Sequence, residues 1–117
     1  MKNSDRRPQT ILIVEDIDWI RSGMKSAVER FGYRAAEATD ATDAFKSAEL
    51  ESIELILTEE QLPTFDALMA RLREHPALSN VPVVIVNPDA EEGTRLSDAY
   101  LLTDYAHIPS LLAGLRR

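Results

Sequence analysis

Two short acidic clusters are the residues of this chain best suited to chemistry. Glu15–Asp16 follow the apolar run Thr10 to Val14, and Glu59–Glu60 follow the apolar run Ile53 to Thr58. If both runs are neighbouring strands of one sheet, up to four carboxylates surround a single crevice. An oxygen-rich cluster of that kind suits Mg²⁺, which takes one or two carboxylates and keeps several waters. The same residues also serve as solvated strand ends and helix caps. Asp16 and Asp18 both stand where a carboxylate accepts the free N–H groups of a helix start. His75 and His107 lie apart, near prolines, with no ligand or nucleophile partner in the sequence, and are expected to be solvated loop histidines. Trp19 falls close to the first acidic pair.

The elements that must position these acids can be read in order. Thr10 to Val14 is an unbroken β-branched and aliphatic run, the pattern of a strand covered on both faces. Ile17, Ile20, Met24, Ala27, Val28 and Phe31 then form one helical stripe, which Gly32 terminates. Tyr33 to Ala38 is a second strand, polar enough for an edge position. Thr39–Asp40 offers an N-cap for a helix through Leu50 with Ala41, Ala44, Phe45 and Ala48 inward. Ile53 to Thr58 is the third strand. Phe65 to Glu74 is a helix with Phe65, Leu68, Met69 and Leu72 inward, ended by His75–Pro76 because the residue before proline is pushed out of helical geometry. Val81 to Val86 is the fourth strand, Ala99 to Leu102 a short fifth, and Pro109 to Leu115 a last short helix. Such alternation implies a parallel sheet with helices on both faces and right-handed crossovers. Between Val86 and Ala99 lie only 12 residues, including Pro88 and Gly93, so the fourth helix should be shortened or missing.

Composition narrows the function classes. The 117 residues suit one domain, with Met1 to Gln9 as a flexible lead-in and residues 10–117 as the folded unit. The net charge of −7, from 20 acidic and 13 basic residues, disfavours nucleic-acid binding, which depends on Lys and Arg neutralising phosphates. No apolar run approaches the roughly 18 residues of a membrane span, and Met1 to Gln9 lacks the apolar core of a signal peptide. The absence of cysteine excludes disulfides and thiolate metal sites and fits a reducing, cytoplasmic setting. No Gly-rich phosphate loop, Ser/His/Asp set or basic aromatic surface is present.

From Thr10 onward the chain resembles a receiver domain of the response regulators of two-component signalling. Ile-Leu-Ile-Val-Glu-Asp at 11–16 is similar to that family's opening strand and acidic pair. Glu-Leu-Ile-Leu-Thr-Glu-Glu-Gln-Leu-Pro-Thr-Phe-Asp-Ala at 54–67 resembles its phosphoacceptor strand and following loop. Val-Pro-Val-Val-Ile-Val at 81–86 and Ala-Tyr-Leu-Leu at 99–102 match its fourth and fifth strands. The resemblance implies an α/β, flavodoxin-like, doubly wound sheet of five parallel strands in the order 2-1-3-4-5. In that order the ligand-binding switch point lies between strands 1 and 3.

The family's chemistry is transfer of a phosphoryl group from a kinase histidine to an aspartate, assisted by Mg²⁺. By resemblance, Glu15, Asp16, Glu59 and the backbone carbonyl of Gln61 occupy the metal-binding positions. Glu59, four residues before Pro63, occupies the acceptor position. Asn87 stands for the switch Thr/Ser, Tyr100 for the switch aromatic, and Thr103–Asp104 for Lys-Pro; Asp66 fits the loop, while Ala67 replaces the usual Gly. Glutamate sets its carboxylate roughly 1.5 Å, about one C–C bond, further out than aspartate. A misplacement near 1 Å can cost on the order of 10²-fold in rate. The missing Lys removes a charge that would stabilise the transferring group.

These departures imply a receiver that is not phosphorylated in the usual way, is not an enzyme, requires no cofactor though Mg²⁺ could bind, and acts through protein contacts. Its partner would be a histidine kinase or output protein, or a second copy of the chain. The partner would meet a face carrying Tyr100, Tyr105, Leu111 and Leu112. Glu59 is read as a surviving acid without a task rather than as a mimic of phosphate, since one carboxylate carries a single charge where phosphate carries nearly two. The other readings are a Mg²⁺-dependent receiver that accepts phosphate on Glu59, and a small metal-dependent hydrolase, for which the sequence offers no general acid or nucleophile.

Overall fold

The computed structural model describes residues 9–59 and 62–86 in full, together with the backbone of residues 100–102. The strands are β1 (Thr10–Val14), β2 (Arg34–Ala38), β3 (Leu55–Glu59), β4 (Val83–Val86) and β5 (Tyr100–Leu102). Between them come α1 (Asp18–Arg30), α2 (Ala41–Leu50) and α3 (Phe65–Leu72). The strands are parallel and run β2-β1-β3-β4, with β5 paired to β4. The expected shortened fourth helix, the last helix and the lead-in before Gln9 lie outside the described residues.

Alternation along the strands splits the core into two layers, because successive side chains point to opposite faces. Ile11, Ile13, Leu55, Leu57, Val84 and Val86 pack with Met24 and Val28 of α1 on one face. Leu12, Val14, Ile56, Val83 and Ile85 pack with Ala44, Phe45 and Ala48 of α2 and Leu68 and Leu72 of α3 on the other. Both faces are covered, which explains the unbroken apolar runs. β2 is an edge strand, as its polarity requires, and exposes Arg34 and Glu37.

Helix ends follow local chemistry. Asp40 caps α2, accepting the Asp43 N–H at 2.8 Å, while Asp43 in turn accepts from the Thr39 N–H at 3.2 Å. Gly32, with φ 86°, takes the left-handed turn after α1 that a side chain would resist. The expected cap of α1 by Asp16 or Asp18 is not found: Ile17 is its N-cap residue and makes no side-chain cap. The Glu15 carboxyl reaches forward instead and accepts the Ile17 N–H at 2.9 Å. Ile17 therefore precedes the helix and is 42% exposed, rather than joining the buried stripe. β3 begins at Leu55 and includes Glu59, and β4 begins only after Pro82. His75 lies in the loop after α3, as expected, but is half-buried rather than fully solvated. Its ring stacks on Phe45 at 5.3 Å, with the Arg71 guanidinium also over that Phe at 4.3 Å, and its Nδ1 accepts the Ala77 N–H at 3.3 Å.

Candidate functional site

The carboxyl ends of β1 and β3 place Glu15 and Glu59 side by side. Val14 is in register with Thr58, so the next residue of each strand is an acid. The two-residue period carries both onto the α1 face, in line with Ile11–Ile13 and Leu55–Leu57. Beneath them Thr58, fully buried on the other face, donates its hydroxyl to the Val14 carbonyl at 2.9 Å and ties the strand ends together.

Both carboxyls are buried, Glu15 completely and Glu59 to 6% exposure. A buried charge is costly unless paired, so such a group tends to neutralise itself. Burial pushes the Glu15 carboxyl up to about 8, and its hydrogen bond with the Glu59 side chain and proximity to Asp16 add to the effect, against the Ile17 N–H, which favours the charged form. Glu15 Oε1 is buried and meets no donor among the described residues. A Glu15 carboxyl that keeps its proton presents a neutral group to this dry edge.

The surrounding frame is polar and tight. The Glu15 N–H donates to the Ala38 carbonyl at 3.0 Å, and Arg21 Nη1 donates to the Glu15 carbonyl at 2.9 Å. After β3, the Leu62 N–H bonds back to the Glu59 carbonyl at 3.1 Å. Thr64 accepts the Ala41 N–H at 3.1 Å, so the loop after the candidate site is fastened to the start of α2.

Of the residues singled out from sequence, Glu15 and Glu59 are brought into contact, and Asp16 lies exposed beside them. Tyr100 pairs with Val84 through β5. Glu60, Gln61, Asn87, Thr103, Asp104, Tyr105, His107, Leu111 and Leu112 lie outside the described residues. Trp19 is 78% exposed on the first turn of α1. Among the described residues no group of three or more His, Cys, Asp or Glu side chains is arranged to hold a metal ion. A two-carboxylate site completed by water remains compatible with Mg²⁺, and the unpartnered Oε1 is an oxygen such an ion could take in place of the proton. Arg21 escaped the sequence reading. Its position one turn into α1, three residues after Asp18, was the available signal.

A recess lined by Gln9, Ile11, Tyr33, Ile53, Glu54, Leu55 and Pro82 opens at the opposite, amino ends of the strands. Ligands of open α/β sheets bind at the carboxyl ends, and the acid pair is there.

Comparison with known proteins identifies the family of the chain. Residues 11–99 match the family model described as the response regulator receiver domain. A gliding motility regulatory protein of Myxococcus xanthus is 31% identical over 115 residues, covering 92% of this chain and 15% of that protein. The transcriptional regulatory protein SrrA of Staphylococcus aureus is 32% identical over 88 residues, covering 74% of this chain and 35% of that protein. The chain thus spans a minor part of the length of these relatives. Among solved structures, the receiver domain of a sensor histidine kinase from Pseudomonas aeruginosa superposes with a TM-score of 0.74 at 22% identity, covering 92% of this chain and 96% of that one. That protein has a magnesium ion coordinated in its active-site cleft. At that identity the likeness is one of fold.

Proposed function

The chain belongs to the response-regulator receiver family of two-component systems, and from that premise we propose that it signals by protein contact rather than by accepting a phosphoryl group in the usual way. The observation that carries this reading is the buried carboxyl pair. The acceptor position holds Glu59, which is 6% exposed and engaged with a Glu15 carboxyl that favours its proton. An acceptor must present an ionised oxygen in line with phosphorus, within roughly 3–3.5 Å. A buried carboxyl set against a second, proton-favouring carboxyl is poorly placed to do so. Asn87 and Thr103–Asp104 stand where the switch hydroxyl and the cationic Lys belong, so three of the five parts of the reaction centre change together.

Mg²⁺ is not required in this reading. If bound, it would be held by Glu15, Asp16, Glu59 and the Gln61 carbonyl, and would supply positive charge to the acid cluster. Glu59 is an acid held within the domain rather than a mimic displayed on it. The partner is a signalling protein, either a histidine kinase or an output protein, or a second copy of the chain. The proposed contact residues, taken from the sequence, are Tyr100, Tyr105, Leu111 and Leu112.

The test is incubation with Mg²⁺ and a small phosphodonor, followed by intact mass and acid-labile phosphate. The expected mass is unchanged; a stoichiometric phosphate gain overturns the proposal. Partner binding or oligomeric state of Glu59→Gln should equal that of wild type, and a clear change would restore the mimic.

A further inference from the structure

Arg21 is 16% exposed in its side chain and uses its whole guanidinium. Nη1 donates to the Glu15 carbonyl at 2.9 Å, Nη2 to Asp18 Oδ1 at 2.6 Å, and Nε lies 3.4 Å from Glu37 Oε1. These three acceptors belong to the exit of β1, the first turn of α1 and the edge strand β2. Lys25 Nζ holds the other oxygen of Glu37 at 3.4 Å, which steadies the anchor from behind. The planar fork of arginine suits several fixed acceptors at once, and an ammonium does not reproduce it.

We infer that Arg21 is the positioning residue of the acid pair: by clamping the β1–α1 corner, it fixes the direction in which the Glu15 carboxyl meets Glu59. The inference rests on reading the Glu15–Glu59 edge as the site. Three bonds define how Glu15 stands. Its N–H is held by the Ala38 carbonyl, its carboxyl Oε2 by the Ile17 N–H, and its carbonyl by Arg21. The first belongs to the sheet and the second is made by the carboxyl itself, whereas the third is supplied by a side chain of α1 and acts on the backbone of the corner. The N-cap residue of α1, Ile17, makes no side-chain cap that would replace the clamp. With the carbonyl held, Oε2 stays on the Ile17 N–H and Oε1 stays buried at the β1–β3 edge. Without it, the corner can turn and the carboxyl can leave the pair.

The experiment is amide hydrogen exchange by NMR, with the Glu15 and Glu59 carboxyl carbon shifts read at one pH. Wild type, Arg21→Met, Arg21→Lys and Lys25→Met are compared without metal or phosphodonor. Expected in Arg21→Met is exchange at least about tenfold faster at Glu15 and Ile17, with rates at Val28 and Leu57 within about twofold, as local opening predicts. The two carboxyl carbons should move while that of exposed Glu49 does not. Arg21→Lys should recover only part of both effects, and Lys25→Met should stay near wild type. Should Arg21→Met not fold, Arg21→Lys carries the test. Uniform acceleration at all amides, or wild-type behaviour at Glu15 and Ile17, overturns the positioning role. Since no phosphate or metal is present, this result is independent of whether Glu59 accepts a phosphoryl group.

Discussion

Replacing Glu15 with glutamine should flatten the dependence of stability on pH. In the folded chain burial and the contact with Glu59 raise the Glu15 carboxyl from its ordinary 4.5 to about 8. A group raised on folding holds a proton that the unfolded chain releases. Its stabilisation is therefore complete below about 4.5 and is lost as the pH climbs through about 8. At about 1.4 kcal/mol per pH unit, that interval sets a ceiling on the order of 5 kcal/mol. Because the Glu15 carboxyl also interacts with Glu59, a loss of a few kcal/mol is the working figure. Against a typical domain stability of roughly 5–15 kcal/mol, this is large.

Glutamine keeps the shape and stays neutral at every pH. Its carbonyl oxygen can accept the Ile17 N–H, and its amide can donate to Glu59 where Glu15 used the proton. Urea denaturation with a chelator present, at several values from about pH 5 to about pH 9, checks the expectation. The two proteins should be comparable near pH 5. Above about pH 8 wild type should fall below the variant by a few kcal/mol. Two curves that remain parallel across this range would falsify the account of Glu15 as a carboxyl that burial holds neutral.

Other outcomes follow from burial and capping. Leu57→Ala, in the core beneath α1, should cost about 2–5 kcal/mol in the same denaturation, while Leu50→Ala, at a site 84% exposed, should stay within about 0.5 kcal/mol. Asp40→Ala removes the cap of α2 and should cost about 1 kcal/mol. Thr58→Val keeps the shape but withdraws a buried donor from the Val14 carbonyl, and should cost about 1–2 kcal/mol in urea. Glu59→Asp shortens the acid without restoring the switch hydroxyl or Lys. Intact mass after Mg²⁺ and phosphodonor should show no stoichiometric phosphate.

Much of the scaffold was legible because its signals are local. The runs ending at Val14, Thr58 and Val86 are strands since both faces of the sheet are covered, and Asp40 caps α2 because its side chain needs only the next turn. The register of β1 against β3 could likewise be anticipated, since both runs end in acids and lie either side of the switch point. What sequence could not give was the fate of those acids. Spacing brings Glu15 and Glu59 to one edge, but whether they face water or each other depends on how the β1–α1 corner turns. That turn is decided by bonds from outside the motif, to Ala38 and to Arg21, and the expected Asp16 or Asp18 cap failed for the same reason. Glu15 takes the Ile17 N–H that an aspartate cap would have competed for, and this bond helps to hold its carboxyl inside. A motif can thus keep its acids in place along the chain while the corner that orients them changes what they do.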